Sequence, residues 1–110
     1  MDFFDFDGRR IGRDDWLRLR PRRQLLATDL GARGRVSTIW LGIDYGFGLL
    51  GGRPPVIFET MIFGGPMDGH VCRWSTRAEA RAGHRSTVRW FRENLPAPPS
   101  LLHNGGKPRG

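Results

Sequence analysis

The sequence predicts an α+β fold: an antiparallel sheet of four or five strands packed against one C-terminal amphipathic helix. Three observations carry that expectation. The runs RVSTIWLGID and VIFETMIF concentrate β-branched and aromatic residues, which suit a pleated, half-buried surface. Glycine-rich turn signals, GARG and GGPMDG, follow the extended runs. One capped stretch, Thr76 to Leu95, then repeats its apolar residues at helical period. A chain of 110 residues can bury one modest core, so residues 1–95 read as a single domain and 96–110 as a flexible tail.

Taken in order, FFDFDGRRI reads as a hairpin, with Asp7-Gly8 as its turn. Asp14 stands where a helix cap would, ahead of a short helix that Pro21 should end. QLLATDL is expected to be a strand forming a hairpin with Val36–Ile43 across GARG. The stretch from Tyr45 to Pro55 is rich in glycine and closes on two prolines, so it reads as a loop. Its glycine spacing does not match a phosphate-binding loop, and no lysine follows. Val56–Phe63 is the second strong strand, and His70–Trp74 returns from the GGPMDG turn. From Pro96 the chain turns proline-rich and then glycine-rich with no apolar period, and disorder is expected there.

Composition excludes several classes. Cys72 is the single cysteine, so an intrachain disulfide and a four-cysteine zinc site are both ruled out. No apolar run approaches the roughly 20 residues of a spanning helix. The start, MDFFDFDGRR, lacks the basic-then-apolar order of a secretory signal, and the expected location is cytoplasmic. The net charge of +7 suits nucleic acid or an acidic protein as partner. All the basic residues save Lys107 are arginine, a bias that a GC-rich genome also produces.

The helix carries the most information. Thr76 and Glu79 form a capping box, each side chain reaching the other's backbone N–H. Ala80, His84, Thr87, Val88, Phe91 and Leu95 share one face, which should cover the sheet. Arg77, Arg81, Arg85, Arg89 and Arg92 fall together on the adjoining face, and Trp90 lies off both. Like charges four residues apart repel by a few tenths of a kcal/mol per pair. The row is therefore not chosen for helix stability, and these five arginines are the candidate nucleic-acid contacts. The alternative is an ordinary solvated face.

Candidate chemical groups are few. Asp44 ends one strand, Glu59 is central in the next, and His84 lies on the buried helix stripe. If the helix packs on those strands, Glu59 and His84 are expected to meet beneath it with Asp44 nearby, as a general base or one corner of a metal site. The plainer alternative is that His84 finds a hydrogen-bond partner in the core. His70 is a further imidazole among the groups that stand out. There is no paired-histidine motif, no G-x-S-x-G elbow and no C-x-x-C, so no cofactor or metal is expected. Both strong strands carry apolar residues on both faces, and either the N-terminal segment or a second copy of the chain should cover the second face. A homodimer through the sheet is thus one expected partner arrangement.

The blocks VSTIWLGIDYGFG, PPVIFETMIFGGPMDG and RWSTRAEARAGH resemble a family of small uncharacterised proteins encoded by actinobacteria and their bacteriophages. The resemblance runs from about Ile11 to Val88. It implies a small accessory protein of a phage or mobile element and assigns no activity. Relatives often have histidine after the aspartate of the first block, where this chain has Tyr45. That departure weakens any metal site built on Asp44. The expected function is a non-enzymatic interaction module. Nucleic-acid binding by the arginine face is one alternative, and a site built on Asp44, Glu59 and His84 is the other.

Overall fold

The computed structural model describes residues 1–44 and 54–93, together with the backbone of two short strands, His103–Asn104 and Lys107–Pro108. Most of the glycine-rich loop, and the tail expected to be disordered apart from that one pairing, lie outside the described residues.

The main sheet has four antiparallel strands in chain order: β3 (Gln24–Asp29), β4 (Arg35–Trp40), β5 (Phe58–Phe63) and β6 (Val71–Trp74). Its register lines up Thr28, Val36 and Ile62 in one row across the sheet. Leu26, Thr38, Thr60 and Cys72 form the next row, and Trp40, Phe58 and Trp74 the third. Side chains alternate between faces along a strand, so these three rows share one face. Helix α2 (Arg77–Glu93) covers that face with Ala80, Gly83, His84, Thr87, Val88 and Phe91. The α+β architecture is the one the sequence predicts.

The capping box is formed. The Glu79 amide donates to Thr76 Oγ1 at 3.1 Å and the Thr76 amide to Glu79 Oε1 at 3.0 Å. At the other end, an Arg33 guanidinium N–H donates to the Phe91 carbonyl and ties the β3–β4 turn to the last turns of α2. The core under the helix has two parts. Trp40, Phe58, Cys72 and Trp74 pack with Ala80 near the start of α2. Val36, Ile62, Val88 and Phe91 pack near its end. A bulge between Gln24 and Leu26 lets Leu25 join the first group, while Leu30 joins the second. Strand β3 and helix α2 therefore run in the same direction.

The N-terminal segment closes one end of this sandwich. Strands β1 (Phe3–Phe4) and β2 (Arg10–Ile11) pair as the expected hairpin. Its turn is held by Asp5, whose Oδ1 accepts from the amides of Asp7 and Arg9. Phe6 stacks on Trp40 at 4.6 Å, and Trp16 of helix α1 (Arg13–Leu19) donates its indole N–H to the Leu41 carbonyl at 3.0 Å. The segment thus packs around Trp40 and Leu41. On the second sheet face Ile39, Met61 and Val71 are only half-buried, and Phe63 is 48% exposed.

Four local expectations are corrected. The cap of α1 is Gly12, and Asp14 sits in the first turn, where its charge still favours the helix N-terminus. Helix α1 ends at Leu19, ahead of Pro21 as expected, but Arg20 stays helical and the chain continues as a 3-10 turn over Arg20–Arg22, because proline at a first helical position loses no internal bond. Strand β4 ends at Trp40, and Ile43 instead bridges to Phe3. Strand β5 begins at Phe58 and not at Val56, whose amide donates to Asp44 instead.

Candidate functional site

The structure separates the residues expected to meet. Glu59 lies in the row of Ile39 and Arg73, opposite to the helix-covered face, and its Oε2 accepts from Arg73 Nε at 3.1 Å. His84 lies under the helix on the other face. Asp44 Oδ1 accepts the Val56 amide at 2.8 Å and so ties Asp44 to the start of the segment that leads into β5. Alternation along β5 is the physical reason: Thr60 and Phe58 point toward α2, so Glu59 must point away. Among the described residues no three His, Cys, Asp or Glu side chains gather to hold a metal ion. Cys72 is buried in the core, and burial pushes its thiol up to about 12, which leaves it unreactive.

His84 instead ends a hydrogen-bonded chain. Trp74 Nε1 donates to Thr60 Oγ1 at 3.0 Å. Thr60 Oγ1 and Thr38 Oγ1 are 2.6 Å apart, and Thr38 Oγ1 lies 2.8 Å from His84 Nδ1. His84 Nε2 lies 2.9 Å from Thr28 Oγ1. The indole can only donate, which sets a direction. If Thr60 donates to Thr38 and Thr38 to Nδ1, the imidazole is neutral with its hydrogen on Nε2, and it donates to Thr28. The hydrogen left over is then that of Thr28, which is half-buried. Either other ordering strands a hydroxyl hydrogen on Thr38 or Thr60, both fully or nearly fully buried, at a cost of about 1–3 kcal/mol. The chain therefore runs from Trp74 outward to Thr28.

Protonation would break this order, because Nδ1 could no longer accept. Burial, and after it the Arg85 charge, hold the His84 pKa below its ordinary value. The unfolded chain consequently takes up a proton at higher pH than the folded chain. The stability tied to neutral His84 is complete above about pH 6.5, the unperturbed value, and is lost as pH falls through the lower folded value. Thermal melts taken down this range should show a steeper loss for the wild type than for His84→Gln. Parallel curves would mean that other groups set the pH dependence.

A groove of about 530 Å³ opens where this chain ends, between the edge strand β3 and α2. Leu26 and Val88 give it an apolar floor, and Thr28 and His84 stand in its wall. Arg85, Arg89, Arg92 and Glu93 form its rim.

The candidate arginines divide into two sets. Arg77 pairs with Asp7 at 2.6 Å and Arg89 with Glu93 at 2.9 Å. Arg81, Arg85 and Arg92 are exposed, and none has a carboxylate partner among the described residues. Arg22 and Arg23 lead into β3, and both are exposed.

No protein-family model, curated protein or solved structure matches the chain. The site accordingly rests on its own geometry. Thr28, Thr38, Thr60 and Trp74 were not among the sequence candidates. The readable signal was a lone histidine on an apolar helix stripe together with threonines inside three separate strands, but only the sheet register stacks those threonines under His84.

Proposed function

We propose that the protein is a small non-enzymatic interaction module that binds nucleic acid through its phosphate backbone. The observation that carries this reading is the row Arg81, Arg85 and Arg92, exposed on one side of α2 and without carboxylate partners among the described residues. At about 1.5 Å rise per residue the row spans roughly 16 Å, longer than one phosphate and suited to a polymer. The net charge of +7 supports the same partner. Among the described residues the row consists of exposed arginines, which suit phosphates rather than base edges, so the contact in this reading is to the backbone and independent of sequence. Under this reading the chain serves as an accessory protein of a phage or mobile element, as the resemblance of its sequence blocks implies.

Affinity for an oligonucleotide should fall steeply with salt, because arginines displace condensed counterions. Arg81→Glu combined with Arg85→Glu removes two contacts and should flatten the slope of log affinity against log salt by about 2. Binding measured by fluorescence anisotropy over a salt series checks this. An unchanged slope in the double variant would remove the helix from the interface and end the proposal.

A further inference from the structure

We propose that the groove between β3 and α2 is a seat for a terminal phosphomonoester, the phosphate at the end of a strand or on a free nucleotide. This deepens the nucleic-acid reading and rests on it for the strand-end ligand. Three features converge. The hydrogen-bonded chain from Trp74 through Thr60, Thr38 and His84 delivers its last bond to Thr28 Oγ1, which leaves the Thr28 hydroxyl hydrogen pointing away from the core. Thr28 has no other bonded partner among the described residues, so this fixed donor is available to the groove. His84 is a positioning residue here: it orients the hydroxyl and does not reach for the ligand itself.

The rim supplies the charge. A backbone phosphodiester carries one negative charge, whereas a terminal phosphate monoester carries about 1.5 to 2 at neutral pH. Arg85 and Arg92 lack carboxylate partners among the described residues, and together they match the larger charge. Arg89 is held by Glu93, and the Glu93 carboxylate is the one rim group that opposes an anion. That pair is exposed and therefore weak, so a doubly charged phosphate can draw Arg89 away from it. The groove volume, about 530 Å³, exceeds what a phosphate fills, and the floor of Leu26 and Val88 offers apolar surface to the attached sugar or base.

The test compares one short oligonucleotide bearing a 5′ phosphate, a 3′ phosphate or neither, with a nucleoside monophosphate as a fourth probe. One phosphate-bearing end should bind about tenfold more tightly than the unphosphorylated strand, as one added charge-assisted contact predicts. That preference should vanish in Thr28→Val and survive in Thr28→Ser, both checked for an intact thermal transition. Loss in Thr28→Ser as well would show that the hydroxyl is not the donor and overturn the site. Equal affinity for all three oligonucleotides would overturn it too, while salt-dependent binding kept the broader reading. Binding of the monophosphate alone would support the seat and overturn the polymer reading. If no probe binds, both fall.

Discussion

Gly83→Ala should destabilise the protein by about 2 kcal/mol, although alanine favours a helix over glycine by about 1 kcal/mol. A methyl group at this position would meet Trp74 Cζ2 at 2.1 Å and Cε2 and Cη2 at 2.6 Å. The indole cannot step aside cheaply. It is 3% exposed, packed with Phe58 and Ala80, and hydrogen-bonded to Thr60. Moving it would stretch the chain that reaches His84, and overpacked cores of this kind typically lose about 1–3 kcal/mol. The glycine is what lets α2 approach the sheet closely enough for His84 to reach Thr38. Urea unfolding of Gly83→Ala beside an exposed control on the same helix, Ser86→Ala, separates packing from helix propensity. A variant at least as stable as the wild type would show that the helix can lift without strain.

Thr38→Val should cost more, about 3 kcal/mol, despite preserving shape. Thr38 is fully buried and stands in the middle of the chain, accepting from Thr60 and donating to His84 Nδ1. Valine orphans both neighbours at once, and each buried polar group left unpaired costs about 1–3 kcal/mol. Thr38→Ser keeps the hydroxyl and gives up only a methyl group, so its loss should be nearer 1 kcal/mol. Chemical denaturation of the two variants tests the assignment. A valine variant as stable as the serine variant would mean that the hydroxyl chain contributes nothing to the fold.

Much of the fold was legible because its signals are local. The Thr76–Glu79 box and the apolar stripe of α2 depend on residues three or four apart, and both form as the sequence predicts from Ala80 to Phe91, with Leu95 outside the described residues. The β3–β4 hairpin and the return from β5 to β6 likewise follow turn chemistry next to strand-forming runs. The helix also offset its arginines from its buried face, which the 3.6-residue period alone requires. Less of the candidate site was legible. Glu59 and His84 were expected together because each is a polar residue within an apolar stretch. They lie on opposite sides of the sheet, each satisfied by a different neighbour.

The sequence by itself determined the elements, their order and the existence of a basic helix side. Only the tertiary structure decided which face of the sheet the helix covers. Strand β5 carries Phe58 and Ile62 on one face and Met61 and Phe63 on the other, so its patterning does not choose between the two, whereas a strand with one polar face declares its inner side. The choice was made by shape, through Gly83 against Trp74 and the bulge that admits Leu25. That choice stacked three threonines from separate strands beneath one histidine, and it set Arg85 and Arg92 beside the edge strand β3. Contacts between residues so far apart in the chain have no period or motif to announce them, since they exist only once the register is set.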